Sequence, residues 1–93
     1  MGLLFEWDSE KAKSNLEKHG VSFEEAGSAL DDPREITVFD PDHSDAEDRY
    51  LSIGLSTFGR VLVVSYTERG ERVRIISARV ANKRERKEYE EER

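Results

Sequence analysis

The chain has 93 residues, 35% of them apolar and 39% charged, and a formal net charge of −6. That length holds one core, so residues 1–93 are expected to form a single domain, and the lack of cysteine excludes disulfides and thiolate–metal sites. The longest apolar run, Val61–Val64, is far short of the roughly 20 residues a spanning helix needs. The opening MGLLFEWDSEK lacks the basic and apolar regions of a signal peptide, so a cytoplasmic place and no membrane contact are expected.

Leu3–Trp7 reads as a short first strand. Asp8 is a good N-cap for a helix running to His19, and Gly20 is the residue expected just past its end. Ala12, Leu16 and His19 fall on one face of that helix as a narrow apolar stripe. Ser22 and Glu25 have capping-box spacing, which predicts a second helix over Phe23–Leu30, closed by the Asp-Asp-Pro of residues 31–33. Ile36, Val38 and Phe39 suggest a strand, followed by the acidic turn DPDHSDAED at 40–48. His43 among these carboxylates matches no calcium loop, because the spacing differs and the glycine of the sharp turn is missing. No metal and no cofactor are expected.

Arg49–Thr57 alternates, with Leu51, Ile53 and Leu55 facing away from Tyr50, Ser52, Gly54 and Ser56. Arg60–Glu68 is apolar on both faces at its centre, as a central strand is. After the turn at Gly70, Arg72–Val80 returns as another strand. Strict alternation there places Arg72, Arg74, Ile76 and Ala78 on one face and Val73, Ile75, Ser77 and Arg79 on the other. Asn82 and Glu85 form a second capping box at the start of a final helix that is polar nearly all round, with Tyr89 its one large apolar-bodied residue. The predicted class is α+β.

Charge is distributed unevenly. Residues 1–68 carry six basic and fifteen acidic side chains, whereas residues 69–87 carry eight basic and two acidic ones. A local positive potential steers a polyanion whatever the total charge, so the last strand and the start of the last helix form a candidate anion site. Guanidinium stays charged and offers a planar fork to phosphate oxygens, which fits Arg72, Arg74 and Arg79 for such a site. Each of them also has the plainer reading of a solvated surface arginine. His19 is either a favourable charge at a helix C-terminus or a proton-transfer group active near neutral pH.

The runs FEWDSEKAKSNLEKHGVSFEEA (5–26), DPDHSDAEDRYLSIG (40–54) and RVRIISARVANKRERKEYE (72–90) strongly resemble the BrnT family of toxins from bacterial type II toxin–antitoxin modules. The resemblance covers nearly the whole chain. It implies a RelE-like fold, with two N-terminal helices packed on one side of a twisted antiparallel sheet of about four strands, a C-terminal helix, and the other sheet face open to RNA. It also implies a ribonuclease that blocks translation, and a BrnA-type antitoxin with a ribbon-helix-helix part, the complex binding operator DNA. Residues carried over from the family's motifs are Lys18 and His19, Arg49, Arg72, Arg74 and Arg79, and Tyr89. The expected catalytic roles are phosphate stabilisation by Arg74 and Arg79, proton transfer by His19 with Glu68 as reserve base, and substrate positioning by Arg49. Lys18, Arg72, Lys83, Arg84 and Tyr89 are the expected substrate contacts. Asp45-Ala46-Glu47-Asp48 departs from the family's usual Gly-Glu-x-Arg, losing the glycine. Two other functions compete: a catalytically degenerate co-repressor acting through the antitoxin, and a generic RNA-binding module.

Overall fold

The computed structural model describes residues 3–40 and 47–91. The acidic turn's Asp42, His43 and Asp45 lie outside the described residues. Along the chain come β1 (Leu4–Glu6), α1 (Ser9–His19), α2 (Phe23–Leu30), β2 (Ile36–Phe39), β3 (Arg49–Leu55), β4 (Val61–Arg69), β5 (Arg72–Val80) and α3 (Lys83–Glu91). The helix bounds follow from local chemistry. Asp8 accepts a hydrogen bond from the Glu10 N–H at 2.8 Å, and Gly20, at φ 69°, donates its N–H to the Leu16 carbonyl. That left-handed conformation strains any residue with a Cβ. Asn82 and Glu85 close both halves of their capping box, at 2.8 and 2.9 Å. Ser22 makes only its own half, accepting from the Glu25 N–H, because the Glu25 carboxylate turns inward to Arg60 and Ser56.

The strands form one sheet in the order β1-β5-β4-β3-β2. The architecture is α+β as expected, with one addition to the anticipated antiparallel sheet of about four strands. β1 joins as a fifth, parallel to β5, pairing Leu4–Glu6 with Arg72–Arg74. α1 and α2 then carry the chain from this edge to the opposite one, where β2 pairs with β3. The core lies between α2 and the sheet: Phe23, Val21, Leu62, Val64 and Ile75 are almost wholly buried. Burying a side chain such as Phe23 stabilises the fold by about 2–3 kcal/mol. Phe23 also meets Trp7 edge-to-face at 5.9 Å.

β3 alternates as predicted, but its small residues point inward. A Cβ on Gly54 would sit 2.3 Å from the Ala29 carbonyl oxygen, so glycine is what lets α2 approach the sheet there. Leu51, Ile53 and Leu55 are left on the face away from the helices, in register with Val63 and Ser65 of β4 and Val38 and Ile36 of β2. The predicted stripe on α1 is also changed. Leu16 is 52% exposed, and Asn15 is the residue that turns in. Its amide donates to the carbonyls of Val21 (2.9 Å) and Ala78 (2.8 Å), and its oxygen accepts from the Ala78 N–H (3.0 Å). β1 reaches only as far as Arg74, and farther along β5 this one side chain supplies hydrogen bonds that a sixth strand would give.

Candidate active site

The site begins with an irregularity in β5. Tyr66 pairs with Ile75 and Ser65 with Ser77, so Ile76 is an extra residue opposite the Ser65–Tyr66 step. Such a bulge reverses the alternation beyond it. Ala78 then turns into the core, and Arg79 comes to the same face as Arg72 and Arg74, not the opposite one that strict alternation predicts. The bulge is thus what gathers the arginines on the face away from α2.

Three rows cross that face. Arg49, Thr67, Arg74 and Glu6 are in register across β3, β4, β5 and β1; Leu51, Ser65 and Ser77 form the next row; Ile53, Val63 and Arg79 form the third. Arg69 pairs with Arg72 beyond the first row. Four residues of β4 separate the rows of Arg74 and Arg79, about 13 Å at the backbone. The two therefore serve neighbouring positions on an extended ligand.

In the third row and its neighbour lies a shallow pocket of about 90 Å³, lined by His19, Leu51, Val63, Ser65, Ser77, Ala78 and Arg79. His19, from the end of α1, and Arg79, sixty residues later, meet there because Asn15 ties α1 to Ala78. Lys18 is exposed beside His19. Lys83 and Arg84 are exposed on the first turn of α3, close in the chain to Arg79. Arg49 is half-buried, and the hydroxyl of Thr67 beside it is buried without a hydrogen-bond partner.

Carboxylates temper this cationic face. Glu85 holds Arg79 through two bonds of 2.7 Å, Glu6 binds Arg74 at 3.1 Å, and Glu47 binds Arg69 through two of 2.8 Å. The paired guanidinium lowers the Glu85 carboxyl below the usual range, and the Arg79 pKa is raised in turn by that same hydrogen bonding. Arg72 has no such partner among the described residues. Five arginines thus share the face with three carboxylates bound to them, and it remains positive on balance.

Two expected contributors lie elsewhere. Glu68 pairs with Val73 on the helix side of the sheet, where it borders Leu30, Glu35 and Tyr66, so the face with the arginines is closed to it as a base. Tyr89 is 4% exposed and donates its hydroxyl to Asp32 at 2.5 Å, anchoring α3 to the end of α2 instead of meeting a substrate. The sequence reading saw Glu85 only as a cap. Its spacing to Arg79 crosses a strand–helix boundary, where neither period applies. Ser65, Ser77 and Glu6 carry no motif signal, because only strand pairing brings them to the site.

A profile of the family described as "Ribonuclease toxin, BrnT, of type II toxin-antitoxin system" matches residues 7–85. No curated protein sequence matches the chain. Among solved structures, the chain resembles the crystal structure of the Brucella abortus ribonuclease toxin BrnT, with a TM-score of 0.63 and 24% identity over 87% of this chain and 99% of that one.

Proposed function

We propose, from the premise that the chain belongs to the BrnT family of type II toxin–antitoxin ribonuclease toxins, that it is a metal-independent endoribonuclease cutting at the pocket between His19 and Arg79. The observation that carries this reading is that an imidazole and a guanidinium, those of His19 and Arg79, line one pocket on an arginine-bearing face. The 2′-hydroxyl of the substrate attacks the adjacent phosphorus as the bond to the 5′-oxygen breaks, leaving a 2′,3′-cyclic phosphate and a 5′-hydroxyl. Arg79 stabilises the charge growing on the phosphorane, His19 moves a proton at one of the two reacting oxygens, and solvent water takes or supplies the proton at the other. Arg49, Arg72 and Arg74, about two rows away, hold the flanking phosphates, with Lys18, Lys83 and Arg84 at the margins.

RNA cleavage in excess EDTA, with product ends mapped, tests the reading. The wild-type chain is expected to give cyclic-phosphate ends, and Arg79→Ala to lower the rate by about 10²–10³ while remaining folded. Full activity of Arg79→Ala, or cleavage that EDTA abolishes, refutes it.

The toxin family implies an antitoxin. The aliphatic strip of Val38, Leu51, Ile53 and Val63 beside the arginines fits a partner segment with apolar and acidic residues, covering the RNA-facing side. A BrnA-type protein with a ribbon-helix-helix part, the complex repressing its own operon, is the proposed partner. A second reading, a toxin-like co-repressor without activity, is favoured by the carboxylates on Arg69, Arg74 and Arg79. Growth after inducing this chain alone separates the two: arrest supports the toxin, indifference the co-repressor.

A further inference from the structure

Glu85 performs two tasks at once on this face. Its oxygens accept from both terminal nitrogens of Arg79 at 2.7 Å, and Oε1 also accepts from the Asn82 N–H at 2.9 Å. Its own N–H donates to Asn82, so its backbone is fixed as the third residue of the α3 cap. The Arg79 side chain, 43% exposed, is therefore anchored at its far end by a group that the helix terminus immobilises. A guanidinium has five N–H donors, and a carboxylate bound across the two terminal nitrogens leaves the Nε–H and one hydrogen on each Nη. The Nε side of the fork stays free for a phosphate.

We infer that Glu85 is a positioning residue for RNA cleavage: it holds the Arg79 guanidinium so that its free fork faces the pocket shared with His19. The inference rests on the nuclease reading above and adds to it a residue that acts only through Arg79. It also ties the site to the start of α3, since a frayed first turn releases Arg79. A carboxylate there lowers the net positive charge, so it weakens raw attraction for RNA while ordering the group that acts in the transition state. Its effect should therefore appear in turnover more than in binding.

Glu85→Gln separates the two tasks, because glutamine serves in a capping box as well as glutamate does. Expected is a kcat about tenfold lower, with KM changed less than twofold and the melting temperature unmoved. In an Arg79→Ala background, Glu85→Gln should change the rate no further, whereas a merely structural effect on α3 would persist there. NMR gives a second measurement: slow rotation of the Arg79 guanidinium in the wild type, fast in Glu85→Gln. The inference is overturned by a Glu85→Gln rate equal to or above wild type, by additive effects in the double variant, or by identical guanidinium rotation in both chains. A wild-type chain that cleaves no RNA overturns the nuclease reading and this inference together. One that cleaves normally beside an equally active Glu85→Gln sinks the inference alone.

Discussion

Replacing Asn15 by alanine should destabilise the protein far more than its place on a polar helix would indicate. The change strips partners from three backbone groups: the carbonyls of Val21 and Ala78 and the Ala78 N–H. Val21 is 0% and Ala78 1% exposed, so none of them can turn to bulk solvent. An orphaned buried polar group costs about 1–3 kcal/mol, and a water entering the vacated space relieves part of the sum, so about 3 kcal/mol in all is expected. Against a total stability of about 5–14 kcal/mol for a chain this long, that is a large fraction. It corresponds to a drop of roughly 12–24 °C in melting temperature. Urea titration followed by circular dichroism measures it directly. Asn15→Asp should be at least as damaging at pH 7, because a carboxylate would then face two carbonyl oxygens. A loss below about 1 kcal/mol for Asn15→Ala would mean that the edge of β5 is held by something else. The linkage of α1 to the site would then fail.

Gly54→Ala should cost about 1–3 kcal/mol, since the added methyl meets the Ala29 carbonyl oxygen and one of the two backbones must move; urea midpoints read it. Tyr89→Phe removes the hydroxyl bonded to Asp32 and should lower stability by about 1 kcal/mol while leaving RNA cleavage intact, as expected of a residue that anchors α3 instead of touching substrate. Glu25 has its pKa lowered, chiefly by the hydrogen bond from Arg60 working against burial. A lowered folded-state pKa stabilises above the ordinary value near 4.5 and ceases to do so as pH falls through the folded value. Urea stability of the wild type should therefore fall on acidification below about pH 4.5. Arg60→Ala strands a buried carboxylate and removes its share of that trend, so the variant should lose less stability on acidification than the wild type; the same slope in both chains would refute the pairing.

Local chemistry made much of this fold readable in advance. Asp8, Gly20, Ser22 and Asn82 mark helix bounds through bonds to their own neighbours, so α1 and α2 begin and end where the sequence places them. The strand periods likewise located β3, β4 and β5. What escaped depends on contacts remote in the chain. Asn15 belongs inward because β5 leaves backbone groups open sixty-three residues later, which no helical stripe reveals. Leu51 and Ile53 face outward because α2 must approach Gly54 closely. In the site, the arginines were identifiable by their local excess and by family resemblance. Their distribution over faces was not, since it turns on the register of two strands. Glu68 looked available by type, yet its pairing with Val73 puts it behind the sheet.

The extra residue at Ile76 has a consequence for how such a surface can change over time. Removing that one codon would leave every arginine in place, restore strict alternation and still send Arg79 to the open face and Ala78 to the core. Point substitutions erode a site a group at a time, but a slip in pairing at constant length, which irons out the bulge, would turn the last guanidinium towards the interior in a single event. Chemical identity along this strand therefore means little without the pairing that goes with it.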